Sequence, residues 1–161
     1  MLASLREGKV DGFVYVPPFS QQPVVEGTGT VWLDYMAGEV PELSGVPSGL
    51  VVTTAAYARS HSRQLRGLLT AIGKGFDAIN DDPATVAAAL AASPSFAKTD
   101  PALFRASFEA SRPIFARGPN PTRAGFDRMV RLYNATIGLK TRADVTFERF
   151  FDPDYVTKAA G

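Results

Sequence analysis

Tyr15-Val16-Pro17-Pro18-Phe19 is the stretch whose residue types come nearest to a ligand site. It closes a β-prone run that starts at Val10. In open α/β domains, ligands lie beyond the carboxyl ends of strands, which makes Tyr15, Pro17, Pro18 and Phe19 the leading cleft candidates. Tyr15 and Phe19 serve equally well as core residues on the same pattern. A helix opening near Pro18 would present unbonded backbone N–H groups, suited to a sulfonate, nitrate or carboxylate. Ser48, Thr53 and Thr54 carry hydroxyls able to donate to an anion, although Thr53 and Thr54 suit helix capping better.

Other chemistry is sparse. The single histidine, His61, sits in Arg59-Ser-His-Ser-Arg63 and reads as an exposed helix-junction residue. The absence of cysteine excludes disulfides, thiolate metal sites and cysteine nucleophiles. Gly27-Thr28-Gly29-Thr30 lacks the Gly-Lys-Ser/Thr ending of a phosphate loop and does not lead from a strand into a helix. No dinucleotide fingerprint is present, and the sequon Asn134-Ala135-Thr136 falls inside a helical pattern. With no catalytic constellation, the expectation is a protein that is not an enzyme and needs no metal or other cofactor.

The elements that must position these residues divide unevenly along the chain. Leu2–Glu7 reads as a short helix end with Gly8 as its left-handed terminator. Strands are expected over Val10–Val16, Gly29–Tyr35 and Gly49–Thr54, with a short helix over Phe19–Val25 between the first two. Residues 36–49 form a loop rich in Gly and Pro. From Thr54 onward the patterns are helical. Thr53 or Thr54 caps Ala55–Arg59, and Ser62 is expected to cap a helix from Arg63 to Asn80. That helix carries Leu65, Leu68, Leu69, Ile72, Phe76 and Ile79 as one stripe. Asp82-Pro83 and Asp100-Pro101 each pair a cap with a proline at the first helical position. They open helices through Ala92 and to about Ser111, where Pro113 disturbs the end. Thr122–Ile137 is a further amphipathic helix, and residues 144–159 hold two short turns with Asp152-Pro153 as a third cap.

At 161 residues, 45% apolar and 20% charged, the chain suits one ordinary globular domain. Seventeen basic against 16 acidic residues, with the basic ones scattered, give no reason to expect nucleic acid. No segment approaches the roughly 20 apolar residues of a membrane span. Arg6, Glu7 and Lys9 stand where a signal peptide would be hydrophobic, so none is expected in this chain. Few strands followed by many helices is an odd partition for an α/β domain, whose strands and helices should alternate.

The ordered set of segments resembles the C-terminal half of substrate-binding proteins of ABC importers. The group it is most similar to is the nitrate/sulfonate/taurine family, which includes binding proteins for thiamine-pyrimidine precursors. LREGKVDGFVYVPPF resembles that family's Leu-x-x-Gly-x-Val-Asp-Ala helix–strand step. SGLVVTTAAYARSHSRQLRGLLTAIGKGFDAIND resembles its strand into a long helix, DDPATVAAAL its Asn/Asp-Pro helix start, and DVTFERFFDPDYVTKA its C-terminal segment. Val16-Pro17-Pro18 departs from the family by replacing its acidic-Pro pair.

The resemblance implies an α/β, partial type II periplasmic-binding-protein fold. Residues 1–31 would end the second lobe, 32–47 would cross the hinge, and 48–161 would form the helical part of the first lobe. Further strands, helices and a signal peptide are expected upstream of Met1. Trp32 and Tyr35 would flank the hinge as aromatic lining, or else pack in the core. With Tyr15, Pro17, Pro18, Phe19 and Ser48 they complete the expected ligand-binding set. The implied function is capture of a small organic solute, such as a sulfonate, a nitrate-like anion or a pyrimidine precursor. Permease subunits would be the partners, at a periplasmic or membrane-associated location. The alternatives are a thiamine-pyrimidine-synthase-like enzyme on the same fold, and a truncated lobe that associates with itself as a homo-oligomer.

Overall fold

The structure is a computed structural model that describes residues 1–115, 118, 120–137, 140 and 144–157. Among these residues every regular element is helical. In chain order they are α1 (Leu2–Arg6), α2 (Gln22–Val25), α3 (Ala55–Ser60), α4 (Ser62–Asp81), α5 (Pro83–Ala91), α6 (Pro101–Ser111), α7 (Arg123–Thr136), α8 (Phe147–Phe150) and α9 (Asp154–Thr157). Short 3-10 turns occupy Pro41–Leu43 and Arg112–Ile114.

The helix starts follow from local side-chain chemistry. The Thr54 hydroxyl accepts the Tyr57 N–H at 3.2 Å and opens α3. Asp82 accepts from the Thr85 N–H at 3.1 Å, and Asp100 from those of Ala102 and Leu103 at 3.0 and 2.9 Å. In both cases proline follows at the first helical position, where its missing N–H costs nothing. Thr122 caps α7 through the Gly125 N–H at 3.0 Å. Gly8, at φ 66°, ends α1 in the left-handed conformation that only glycine adopts without penalty. Pro113 stops α6 by turning its end into a 3-10 turn. The expected Ser62 cap is replaced: Ser62 lies inside α4, and the His61 carbonyl takes the Leu65 N–H at 3.0 Å.

The mostly helical character expected of the chain is present; the strands are not. Among the described residues no β-ladder forms over Val10–Val16, Gly29–Tyr35 or Gly49–Thr54. No backbone–backbone hydrogen bond to a described residue is donated by residues 10–16, 30–33 or 49–53. A strand is a two-body element: residue pattern supplies the propensity, but a neighbour must supply the hydrogen bonds. The expected helix over Phe19–Val25 is also shorter. It begins only at Gln22, after a turn in which Phe19 and Gln21 bond back to Val16 and Pro18.

The chain falls into two compact units. The first comprises Met1–Glu39 and Ala78–Ala116, the second Val40–Asp77 and Arg117–Gly161. In the first unit α6 packs against α2 and α5, burying Phe108. Phe104 stacks on Phe108 with centroids 6.2 Å apart, and Phe96 meets Phe104 edge-on at 5.4 Å. Arg6 ties α1 to the end of α2 by two bonds to Glu26, at 3.1 and 2.5 Å. In the second unit α7 buries Gly125 and Phe126, the latter against Phe147 and Phe150 at 5.9 and 5.1 Å. Arg128, also on α7, donates to the Ser44 carbonyl beside the 41–43 turn. Arg66 lies over the Tyr155 ring at 5.3 Å and donates to the Asp154 carbonyl, fastening the C-terminal turn to α4.

The buried apolar side chains among the described residues are Pro23, Leu65, Phe108 and Phe126, and none is wholly shut off from solvent. The α4 stripe is only half covered, with Leu68 exposed.

Candidate functional site

The candidate site is an apolar groove in the first unit, lined by Met1, Leu2, Ala3, Phe13, Tyr15 and Phe19, with a volume of about 290 Å³. Its shape begins with the prolines. Pro17 and Pro18, joined by a cis peptide, offer no N–H, so the turn closes around them through the Phe19 N–H to the Val16 carbonyl at 3.1 Å. That closure brings Tyr15 and Phe19 onto the same side. Their rings meet edge to face, at 5.1 Å and 85°, the arrangement that places a positive ring edge on a negative ring face. The α1 residues Leu2 and Ala3 supply the opposite wall, held by the Arg6–Glu26 clamp.

Electrostatically the groove is nearly featureless. All the lining side chains are apolar except for the Tyr15 hydroxyl. The ion pair organised on α1 beside it is the clamp. The Arg6 guanidinium, and secondarily the Gln22 amide, hold the Glu26 carboxyl below the usual carboxylate range. The expected anion site at a helix start beside Pro18 is not formed. The N–H groups of Phe19, Ser20, Gln21 and Gln22 are bonded to the carbonyls of Val16 and Pro18, so none is left to meet an anion.

Of the seven residues expected at the site, Tyr15 and Phe19 line the groove, and Pro17 and Pro18 form the turn that joins them. Trp32 and Tyr35 belong to the same unit but do not line it: Trp32 is 94% exposed and Tyr35 half-buried at the head of a turn. That turn is organised by Asp34, whose carboxylate accepts the Met36 and Ala37 N–H groups at 2.9 and 3.1 Å. Ser48 is exposed and belongs to the second unit, as does Thr53, while Thr54 is engaged as the α3 cap. His61 stacks on Tyr57 at 4.1 Å and 6° and lies 2.8 Å from the Ser60 hydroxyl through Nδ1. It is half-buried at the α3–α4 junction rather than fully exposed.

Met1, Leu2, Ala3 and Phe13 escaped the sequence reading. Phe13 was legible as the inward neighbour two residues before Tyr15, whereas nothing in α1 marked which of its faces would be lined. Among the described residues no three His, Cys, Asp or Glu side chains are grouped to hold a metal ion, and no helix is long and apolar enough to cross a membrane. Comparison with known proteins returned no matching family model, no matching curated protein and no matching solved structure.

Proposed function

We propose that the chain is a non-catalytic binding module, the C-terminal portion of a solute-binding protein with a type II periplasmic-binding fold, serving an importer. One observation carries the reading. The three segments whose residue pattern predicts strands are β-prone, donate no backbone hydrogen bonds to described residues over 10–16, 30–33 and 49–53, and expose apolar side chains. Val14, Trp32 and Val52 are 84, 94 and 82% exposed. Such segments have the makings of sheet strands whose neighbours come from another stretch of polypeptide. Completing that sheet would supply the remainder of the cleft.

The groove narrows the solute class. An aromatic-lined space of about 290 Å³ whose lining side chains carry no charge suits a single flat ring, such as a pyrimidine precursor, better than nitrate or a sulfonate. In a complete two-lobed protein the solute would favour closure, because only the closed form contacts it from both sides.

The test compares this chain with the product of the same reading frame extended upstream. The longer product is expected to gain β-sheet infrared absorption and to bind an aminopyrimidine calorimetrically, while the chain alone binds weakly or not at all. Submicromolar binding of taurine or nitrate by the chain alone would sink the reading, as would an upstream frame that closes without encoding strands.

A further inference from the structure

We infer that residues 49–54, Gly-Leu-Val-Val-Thr-Thr, form an edge at which a second copy of this chain pairs, strand against strand, in antiparallel register. The inference goes beyond the solute reading and does not depend on it. Leu50, Val51 and Val52 are 48, 52 and 82% exposed, and residues 49–53 donate no backbone–backbone hydrogen bond to a described residue. A β-branched, uncharged run with unpaired backbone is the pattern that recruits another strand.

Charge selects this segment over the other two and selects the partner. The run 10–16 contains Asp11 and is flanked by Lys9 and Pro17, and 30–33 is followed by Asp34, the kinds of residue that protect an edge. From Leu43 to Ala58 the chain carries no charged side chain at all. A copy therefore meets its own 49–54 segment without burying a charge. The nearest charges are Glu42 on one side and Arg59 on the other. Antiparallel pairing brings the acidic flank of each copy towards the basic flank of its partner, whereas parallel pairing sets like against like. A two-fold axis perpendicular to the paired strands sets one residue opposite its own copy, so Val51 meets the partner's Val51, and Val52 lies opposite the partner's Leu50. All three belong to one unit of the chain, so the contact is the same patch on both copies and closes as a dimer.

Sedimentation velocity on the full chain, across a concentration series and without any solute, tests this. The expected result is a concentration-dependent dimer for the native sequence. The V51K/V52K variant and the V51D/V52D variant should each be monomeric, because like charges then face each other. Their equimolar mixture should dimerise again, while V14K/V16K should behave as the native chain does. Circular dichroism confirms that each variant keeps its helices, since the substituted side chains are exposed. A native chain that stays monomeric at every concentration overturns the proposal. So does a dimer that survives either charge variant, a mixture that fails to associate, or loss of the dimer in V14K/V16K.

Discussion

At the scale of single residues, the closest approach in the second unit is set by a glycine. A Cβ built on Gly125 would lie 2.1 Å from the Gly45 carbonyl oxygen, and Gly45 itself sits at φ 70°. The α7 helix can therefore rest against the 41–45 turn only because residue 125 has no side chain. Gly125→Ala is expected to push the turn away from α7 and to lower stability by about 1–3 kcal/mol, the usual range for overpacking, despite alanine's better helix propensity. Urea unfolding would show this as a lower midpoint, and an unchanged midpoint would place the turn elsewhere. In the first unit the residue to titrate is Glu26. Its carboxyl is held below its ordinary value by the hydrogen bonds from Arg6 and then Gln22. Because the folded value is the lower one, the clamp's contribution stands in full above the unfolded carboxyl's range. It is lost as pH falls through the lowered folded value. The stability gap between the native chain and Glu26→Gln is thus expected at neutral pH and should close on acidification. Being exposed, it should also shrink in high salt. A gap that widens in acid would contradict the assignment.

Among the elements, α6 gathers the first unit. It packs against α2, α5 and the 3-10 turn that follows it, and it carries the buried Phe108. It also carries a defect, because the buried Ser107 hydroxyl has no hydrogen-bond partner among the described residues. Ser107→Ala removes that desolvated hydroxyl and improves helix propensity, so a gain of about 0.5–1 kcal/mol is expected. Asp100→Ala, which removes the cap from the same helix, should cost about 1 kcal/mol. The two variants have opposite signs on one helix, and thermal melts of both would fail the account if the signs agreed. These caps also show what the sequence made legible. Asp82-Pro83, Asp100-Pro101, Thr54 and Thr122 announced four helix starts because capping is settled within three residues. The strand assignments at 10–16, 29–35 and 49–54 had no such local guarantee, since the deciding partner lies outside the segment. Of the six residues that line the candidate site, Tyr15 and Phe19 were readable. The Tyr15-to-Phe19 turn is local and was visible, but its α1 wall depends on a clamp between Arg6 and Glu26 that no spacing rule reveals.

For the molecule as a whole, the decisive fact is how little is fully buried. Pro23, Leu65, Phe108 and Phe126 are the buried apolar side chains among the described residues, while Val14, Trp32 and Val52 stand almost wholly in solvent. Exposed apolar side chains scattered singly are normal, but here the three most exposed fall on three β-prone segments that donate no backbone hydrogen bond to a described residue over 10–16, 30–33 and 49–53. Trp32 turns this into a measurement, because it is the only tryptophan in the chain and lies in one of those segments. In the chain alone its emission is expected to be that of a solvated indole, and acrylamide should quench it nearly as freely as a small tryptophan peptide. If residues 30–33 are strands awaiting a sheet, the upstream-extended product should shift that emission to the blue. Quenching should then fall several-fold, before any solute is added. Solute should then move the signal only in the longer product. A Trp32 already shielded in the chain alone would mean that the segment is covered without a partner. A Trp32 still fully quenched in a longer, solute-binding product would mean that the cleft forms without it.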